Sequence, residues 1–472
     1  MRVAFVFADF AHKHFDENVA IVNQEFGTFM PLGLGYAAAI AECAGHETII
    51  IDAHAEKLSP AQVVDRLRPF QPQLLGFLLT TYMFHDTRRY ITYLKKETGL
   101  PVVVGNVNME LYPRETMSYP EIDFGIIGSA LDNFPALLSA LEKGGPIPNV
   151  PGLCKKENGQ VVINEPASMA EDFDRLPFPK RDGLPHPLYH SVMSKRTNQT
   201  IMVTAKGCTG HCTFCSIHET PYAVRRPSAV VDEIEECVVR HGIHEIEIFD
   251  PSFTIDRARV TQICEGVIAR GLDVDFACRA RVDQVDPALL GLMARAGFKR
   301  ILYGLELGEP EVLAATRKNI TLQQIRDSVR ATQDAGIAAL GFFLIGAPGE
   351  TRASVEETVR FALNLNLDYA QFHRVMAKPC TLLHDQIKQS MGFDYWREYV
   401  LGNQPEMRLP SPWTELTEDE IERLTYQAYH RFYMRPAYLW KTITGIRSWN
   451  ELRRYIRSGL GLVFGKSDVG AK

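Results

Sequence analysis

Three cysteines lie close together in one short segment, the decapeptide KGCTGHCTFC. Cys208, Cys212 and Cys215 are spaced C-x3-C-x2-C and follow directly after a predicted strand. Three thiolates on one loop can bind three irons of a [4Fe–4S] cluster, which leaves the fourth iron open to an exogenous ligand. Gly207 and Gly210 allow the loop to fold tightly around such a cluster. This spacing is the strongest indication of chemistry in the chain.

A zinc site is the main alternative for these cysteines. Zinc usually takes four ligands in a structural site, and His211 or His218 could supply the fourth. The chain has nine cysteines, an odd number, and three of them fall within eight residues. A secreted disulfide framework would spread its cysteines in pairs, so the pattern indicates a metal site in a reducing compartment.

Predicted strands and helices alternate along the first 145 residues. Short continuous apolar runs, such as TIIID at 48–52 and VVVG at 102–105, are typical of strands buried on both faces of a parallel sheet. Between them, Ser59 followed by Pro60 predicts the start of a helix. We therefore expect an α/β domain with a doubly wound, Rossmann-like sheet whose ligands lie at the carboxyl ends of its strands.

A second alternation begins at Ile201 and continues for about 180 residues. Six strand–helix repeats of this kind suit a full or partial parallel (β/α) barrel. After about Leu383 the sequence becomes helical and aromatic, and basic towards its end. The sequence predicts four segments: an α/β domain over 1–145, a linker over 146–195, a barrel over 196–383 and a helical C-terminal extension over 384–472.

The cysteine motif resembles that of the radical S-adenosylmethionine (SAM) enzymes, whose signature is C-x3-C-x-aromatic-C after the first barrel strand. Phe214 supplies the aromatic residue here. The likeness continues in EIEIFDPSFT from Glu245, LYGLELG from Leu302 and GFFLIGAPGE from Gly341. The resemblance implies that a reduced cluster cleaves SAM to a 5′-deoxyadenosyl radical, which abstracts a hydrogen atom from the substrate.

The resemblance also implies roles for individual residues. The three cysteines of the motif hold the cluster, and Phe214 can shield a cluster face or stack on the adenine of SAM. The implied SAM contacts lie on the cluster loop and at the carboxyl ends of later strands: Phe214, Asp250, Arg281, Glu306 and Gly346.

The first domain is similar to that of the cobalamin-binding branch of this family, which includes the class B methyltransferases and the anaerobic cyclase-like enzymes. The resemblance identifies residues 1–145 as a cobalamin-binding domain and 196–383 as the radical SAM barrel. The implied cobalamin contacts lie at the start of a helix and at strand ends: Leu32, Gly33, Thr80, Thr81, Gly105, Asn106, Gly128 and Ser129.

Three segments depart from patterns common in this branch. The D-x-H-x-x-G motif that supplies a histidine to cobalt is matched only in its first half, by DAH at 52–54, and we interpret His54 as a surface loop residue. The sequence GNVN at 105–108 replaces a Gly-Gly-Pro-His-like turn. Cys380 lies where a Pro-Gly-Thr turn is usual, and we expect it to be a small buried residue rather than the alternative, a thiol that faces the active site.

The resemblance implies a C-methyltransferase that acts on an unactivated carbon, with cobalamin as the methyl carrier. Cyclisation, ring rearrangement or oxidation without methyl transfer, on a porphyrin- or lipid-like substrate, is the alternative within the same branch. A metal-binding regulator with a structural cluster is a second alternative, but a regulator would not need the SAM motifs around Glu306 and Gly346. The implied partners are a small-molecule or lipid-like substrate and an electron donor such as flavodoxin or ferredoxin.

Composition and charge restrict the remaining possibilities. The net charge of −6 argues against general nucleic-acid binding. No apolar run approaches the ~18 residues of a membrane span and the N-terminus lacks signal-peptide features, so we expect a cytoplasmic protein. From Tyr426 onwards nine Lys or Arg residues face two acidic ones and alternate with aromatic residues. This stretch predicts either a helical cap on the barrel or a surface for peripheral contact with anionic lipid.

Overall fold

The computed structural model describes residues 1–10, 27–166, 173–191, 193–217, 220–404 and 409–445. Its strands, in chain order, are β1 (Arg2–Phe7), β2 (Gly27–Thr28), β3 (Glu47–Asp52), β4 (Leu74–Leu78), β5 (Val102–Gly105), β6 (Phe124–Ile126), β7 (Leu153–Glu157), β8 (Gln160–Ile163), β9 (His190–Ser191), β10 (Gln199–Met202), β11 (Ala205–Lys206), β12 (Ala223–Val224), β13 (Glu245–Ile248), β14 (Asp275–Ala280), β15 (Phe298–Glu306), β16 (Ala338–Ile345) and β17 (Tyr369–Arg374).

The α-helices within the same residues connect these strands and extend the chain beyond the last of them. They are α1 (Leu32–Cys43), α2 (Pro60–Phe70), α3 (Phe84–Thr98), α4 (Val107–Leu111), α5 (Pro113–Met117), α6 (Asn133–Lys143), α7 (Pro227–His241), α8 (Arg257–Ala269), α9 (Pro287–Arg295), α10 (Pro310–Ala315), α11 (Leu322–Asp334), α12 (Arg352–Asn364), α13 (Leu382–Met391), α14 (Tyr395–Leu401), α15 (Glu418–Tyr433) and α16 (Pro436–Gly445).

The chain divides into two compact units, and the described part of the first comprises residues 1–10, 29–166, 173–189 and 394–404. Its seven-stranded sheet has the order β3-β1-β4-β5-β6-β7-β8. The strands from β3 to β6 are parallel, and β7 and β8 add an antiparallel edge. Strand β1 is buried on both faces, with Val3, Ala4 and Val6 wholly inaccessible. The doubly wound sheet predicted from the apolar runs is confirmed.

Helix α2 begins where the sequence predicts. The Ser59 hydroxyl accepts a hydrogen bond from the backbone N–H of Gln62, and the side-chain oxygen of Gln62 accepts one from the backbone N–H of Ser59. This capping box satisfies N–H groups that have no partner within the helix. The helix ends at Phe70, and the next residue, Gln71, caps it with a left-handed backbone.

The described part of the second unit comprises residues 27–28, 190–191, 193–217, 220–393 and 409–445. Its main sheet has six strands in the order β10-β13-β14-β15-β16-β17, and every pair is parallel. The side chains of Asp256, Asp286, Thr321 and Thr351 cap helices that follow successive strands. The predicted parallel barrel is therefore a partial one, with β10 and β17 as the edges of the described sheet.

An apolar cluster is buried against this sheet. Its members are Met193, Ala277, Leu302 and Leu340. Across the described residues we find no helix with enough length and hydropathy to cross a membrane. The basic and aromatic stretch from residue 446 onwards lies outside the described residues, so lipid contact through it stays a prediction.

Candidate functional site

The three motif cysteines lie on the loop that joins the paired strands β11 and β12. Gly207 opens this loop with a left-handed backbone (φ 77°), and a Cβ there would lie 2.1 Å from the carbonyl oxygen of Pro221. No other residue fits that approach without moving the backbone. The thiols of Cys208, Cys212 and Cys215 are half-buried on this loop.

The donor set of the loop fits a cluster better than a single metal ion. An ideal Cβ on Gly210 would lie 3.5 Å from the Cys208 Sγ and 3.8 Å from the Cys212 Sγ, so both thiols border one small space. Within the described residues no three Cys, His, Asp or Glu side chains converge on one ion position. His218 lies outside those residues. A [4Fe–4S] cluster binds each thiolate to a different iron, as this loop allows.

Burial and nearby charge both act on the motif thiols. Burial is the largest influence on Cys212 and Cys215 and raises the pKa of both thiols. The positive charges of Lys318 and Lys378 lower the pKa of Cys212 and Cys215 respectively. The site thus combines partial desolvation with cations, an environment suited to a cluster held by thiolates.

Glu306 lies at the end of β15, at a place where the pairing with β16 shifts register. Its backbone is left-handed (φ 65°), a conformation that costs a non-glycine residue free energy. Its buried carboxylate pairs with the ammonium of Lys318, which is also buried. The predicted SAM contact is therefore held at the carboxyl edge of the sheet by an ion pair.

Arg281 connects this ion pair to the cluster loop. Its Nη2 donates to the backbone oxygen of Lys318 at 2.8 Å and its guanidinium also pairs with Asp283. Its Nη1 lies 3.4 Å from the ideal Cβ position of Gly210. The structure thus brings three predicted elements together at one edge of the sheet: the cluster loop, Arg281 and Glu306.

Asp250 lies deeper than a ligand contact would require. It is wholly buried, and Oδ1 of its carboxylate accepts hydrogen bonds from the backbone N–H groups of Thr204 at 2.6 Å and Ala205 at 2.9 Å. Oδ2 accepts from the Thr204 hydroxyl. Burial raises the pKa of Asp250, and these hydrogen bonds lower it. The side chain fixes the backbone just before the cluster loop, and a direct SAM contact by Asp250 stays a prediction.

Gly346 follows β16 with a left-handed backbone (φ 82°). Its carbonyl accepts a hydrogen bond from the Trp413 indole at 2.8 Å. Its N–H, together with that of Ala347, donates to one oxygen of the buried Glu350 carboxyl. The loop predicted to meet the adenine of SAM is therefore fixed on both sides.

Phe214, the aromatic residue of the motif, is half-buried next to the last cysteine. The loop is anchored just before it, because the Thr213 N–H donates to the carbonyl of Thr316 at 3.0 Å. Whether Phe214 meets the adenine of SAM or a cluster face stays a prediction.

The residues predicted to contact cobalamin lie at one edge of the first unit's sheet. Those that lie at or just after the carboxyl ends of β4, β5 and β6 are Thr80, Thr81, Gly105, Asn106, Gly128 and Ser129. Leu32 and Gly33 open α1, and a Cβ on Gly33 would lie 2.5 Å from Cδ1 of Leu78, the last residue of β4. The start of α1 therefore lies at the same edge, where ligands bind in doubly wound sheets.

Two asparagines of the GNVN turn, which departs from the branch pattern, differ from each other in burial. Asn106 is exposed with φ 86°, whereas Asn108 is wholly buried and donates to the Thr116 hydroxyl at 2.7 Å.

The interpretation of His54 as a surface residue is wrong. His54 is buried, pairs with Asp9 at 2.8 Å and stacks on Phe10 with ring centroids 4.2 Å apart.

The expectation that Cys380 is buried is also wrong. It is exposed, with a left-handed backbone (φ 61°), and it is not the small buried residue expected. It occupies the position where a glycine is usual in the branch, and the left-handed turn persists even though a side chain is present.

Comparison with known proteins adds to this geometry. The sequence matches the radical SAM superfamily over residues 202–362 and the B12 binding domain over residues 19–138. It is 32% identical over 421 residues to an uncharacterized methyltransferase of Pyrococcus horikoshii, which covers 88% of this chain and 90% of that protein. The chain belongs to the cobalamin-binding radical SAM family.

Two further comparisons agree with this assignment. The chain is 26% identical over 468 residues to the anaerobic magnesium-protoporphyrin IX monomethyl ester cyclase of Rubrivivax gelatinosus, and the match covers 97% of this chain and 81% of that protein. It shares its fold with the radical SAM methyltransferase TsrM of Kitasatospora setae, at a TM-score of 0.68 and 19% identity, over 82% of this chain and 78% of the other. A [4Fe–4S] cluster, SAM and cobalamin are the cofactors of this radical SAM enzyme.

Sequence reasoning missed three residues that the structure places in the second unit's site. Lys318 pairs with Glu306, and Glu350 closes the loop at Gly346. Lys378 acts on the Cys215 thiol. The acid of the GAPGE segment could have drawn attention to Glu350. Lys318 and Lys378 lie in no recognised motif, and no sequence pattern would have identified them.

Proposed function

We propose that this radical SAM enzyme is a cobalamin-dependent C-methyltransferase that acts on an unactivated carbon of a small molecule. The observation that carries the proposal is the pairing, in one chain, of a three-cysteine loop facing Glu306 and Arg281 with a separate doubly wound sheet of B12-binding type. The proposal is supported by a relative that is named a methyltransferase and is matched over 90% of its length. Residues 1–145 would then serve cobalamin and residues 196–383 the cluster and SAM.

The cofactors supply an electron, a radical precursor and a methyl carrier, and the protein supplies binding and orientation. Cys208, Cys212 and Cys215 would hold the cluster and leave one iron for SAM. Glu306 would contact the bound SAM from its fixed position at the end of β15. Asp250 would act indirectly, because its carboxylate holds the backbone that enters the cluster loop.

The remaining predicted contacts complete the two binding sites. Arg281, beside the cluster loop, would offer a guanidinium to the charged methionine end of SAM. The loop at Gly346 would pack against the adenine, and Phe214 would stack on it or shield the cluster. The cobalamin contacts would come from the strand-end residues of the first unit: Leu32, Gly33, Thr80, Thr81, Gly105, Asn106, Gly128 and Ser129.

A cyclisation without methyl transfer is the second candidate. The observation that favours it is the relationship to the cyclase of Rubrivivax gelatinosus, which extends over 97% of this chain. A porphyrin-like substrate would then replace the methyl acceptor. In either case we propose that a small electron-transfer protein such as flavodoxin or ferredoxin reduces the cluster.

The test uses the full chain, reconstituted without oxygen with iron, sulfide and hydroxocobalamin. About four irons and one cobalt per chain are expected after desalting. With excess reductant and SAM labelled in its methyl group, a methyltransferase should form S-adenosylhomocysteine and pass the label to the cobalamin fraction, even without a substrate.

The same preparation separates the two candidate functions. Incubation with magnesium-protoporphyrin IX monomethyl ester should leave that compound unchanged if the enzyme is a methyltransferase. Its conversion to a cyclised product, without S-adenosylhomocysteine, would overturn the proposal in favour of the cyclase. Iron without cobalt would exclude methyl transfer through cobalamin.

A further inference from the structure

Lys318 is a buried lysine on the segment between α10 and α11. Its side chain is 8% exposed and that of its partner Glu306 is 7% exposed. An unpaired charge at such a depth costs free energy, and removing one partner of a buried pair leaves the other uncompensated. Each residue therefore holds the other in place.

The backbone around the pair is shaped to bring these two groups together. A Cβ on Gly304 would lie 2.3 Å from Oε1 of Glu306 and 2.3 Å from Nζ of Lys318, so only glycine leaves room for the contact. Glu306 itself adopts a left-handed backbone at the register shift of β15. The strained backbone at Glu306 thus places its carboxylate against the ammonium of Lys318.

The segment that carries Lys318 is joined to the cluster loop at two points. The Thr316 carbonyl accepts from the N–H of Thr213, between two of the cysteines, at 3.0 Å. The Lys318 carbonyl accepts a hydrogen bond from Nη2 of Arg281 at 2.8 Å. Nη1 of the same guanidinium lies 3.4 Å from the ideal Cβ position of Gly210, which also borders the thiols of Cys208 and Cys212. The ion pair therefore lies within electrostatic reach of the cluster.

We propose that Lys318 is a positioning residue that neutralises the Glu306 carboxylate beside the [4Fe–4S] cluster and thereby sets the cluster's reduction potential. Net charge near a cluster is one of the determinants of its potential. Without the ammonium, the Glu306 carboxylate would oppose the arrival of one further electron on the cluster. The inference rests on the cluster of the proposed function and not on methyl transfer, so it can fail or hold independently of the reaction.

The experiment measures the midpoint potential of the reconstituted full-length enzyme by redox titration followed by electron paramagnetic resonance, at neutral and alkaline pH. Lys318→Met should move the potential to more negative values, whereas Lys318→Arg should leave it unchanged. Glu306→Gln should move it to more positive values, because the lysine is then uncompensated. The double variant Lys318→Met/Glu306→Gln should return close to the wild-type potential.

Lys299→Met is the matched control, because this lysine lies on the same strand as Glu306 but is half-exposed at the strand's other end. It should not change the potential. A purely structural role for Lys318 would reduce iron content without moving the potential of the clusters that remain. Lys318→Met with full iron and an unchanged potential would overturn the proposal. If Lys318→Met fails to hold a cluster, an unchanged potential in Glu306→Gln overturns it instead.

Discussion

Glu350 shows how one buried carboxyl can close a ligand-binding loop. One of its oxygens accepts the N–H groups of Gly346 and Ala347, and Thr414 donates to its backbone carbonyl at 2.6 Å. The other oxygen is buried and has no hydrogen-bond partner among the described residues. Burial raises the pKa of Glu350 to about 7, and the unpartnered oxygen is the natural place for the proton.

This raised pKa makes stability depend on pH. An unfolded glutamate ionises near its ordinary pKa of about 4.3, whereas the folded one keeps its proton until about pH 7. The stability is therefore greatest below the unfolded pKa and falls as pH rises through the folded value, by up to about 4 kcal/mol. Glu350→Gln cannot ionise and its amide oxygen can still accept the two N–H groups, so it should lose this dependence.

Thermal unfolding at mildly acidic and mildly alkaline pH provides the measurement. The wild-type midpoint should fall between the two conditions by more than that of Glu350→Gln, and the variant should be the more stable protein at alkaline pH. Equal falls in both proteins would show that Glu350 is not the group responsible.

At the residue scale, sequence predicted what is specified by local spacing and missed what depends on long-range contacts. The cysteine motif and the Ser59 cap are local patterns, and both occupy the predicted places. His54 is buried because Asp9 and Phe10, far away in sequence, come to meet it. Lys318 likewise gains its role only when the chain brings it to Glu306.

At the element scale, the sequence did not predict that α14 belongs to the first unit. Its residues lie beyond the barrel in the sequence, yet they pack within the first unit. Trp396 is wholly buried and its ring meets that of Tyr82 edge-on at 5.1 Å. His85 and Tyr119 contact the helix backbone through the carbonyls of Tyr399 and Val400, each at 2.6 Å.

These contacts make α14 a structural part of the unit that would bind cobalamin. Trp396→Ala should lower the free energy of unfolding of that unit by about 3–5 kcal/mol, because it leaves a large cavity in a buried aromatic cluster. Cobalt retention should fall with it, because Tyr82 directly follows the predicted contacts at Thr80 and Thr81.

Urea unfolding followed by circular dichroism, together with cobalt analysis, checks this prediction. Arg397→Ala is the matched control on the same helix. Its side chain is exposed and pairs with Glu115 at 2.6 Å, and an exposed pair contributes little to stability. Equal stability losses in the two variants would contradict a buried anchoring role for Trp396.

At the scale of the whole molecule, the alternation of strands and helices was enough to predict two α/β units. The order of strands and the return of residues 394–404 to the first unit could not be predicted, because both depend on side-chain packing between segments distant in sequence. The predicted domain limits of 1–145 and 196–383 are thus simpler than the path that the chain takes.

The division into two units predicts that the cofactors load independently. The cluster cysteines lie in the second unit and the proposed cobalamin contacts in the first. Replacing Cys208, Cys212 and Cys215 together by alanine should therefore remove nearly all iron and leave the wild-type amount of cobalt after reconstitution. Metal analysis and the visible spectrum measure both in one sample. An unchanged circular dichroism spectrum would show that the first unit of this variant is still folded. Loss of cobalt from such a folded variant would contradict independent loading, because cobalamin binding would then require the loaded barrel.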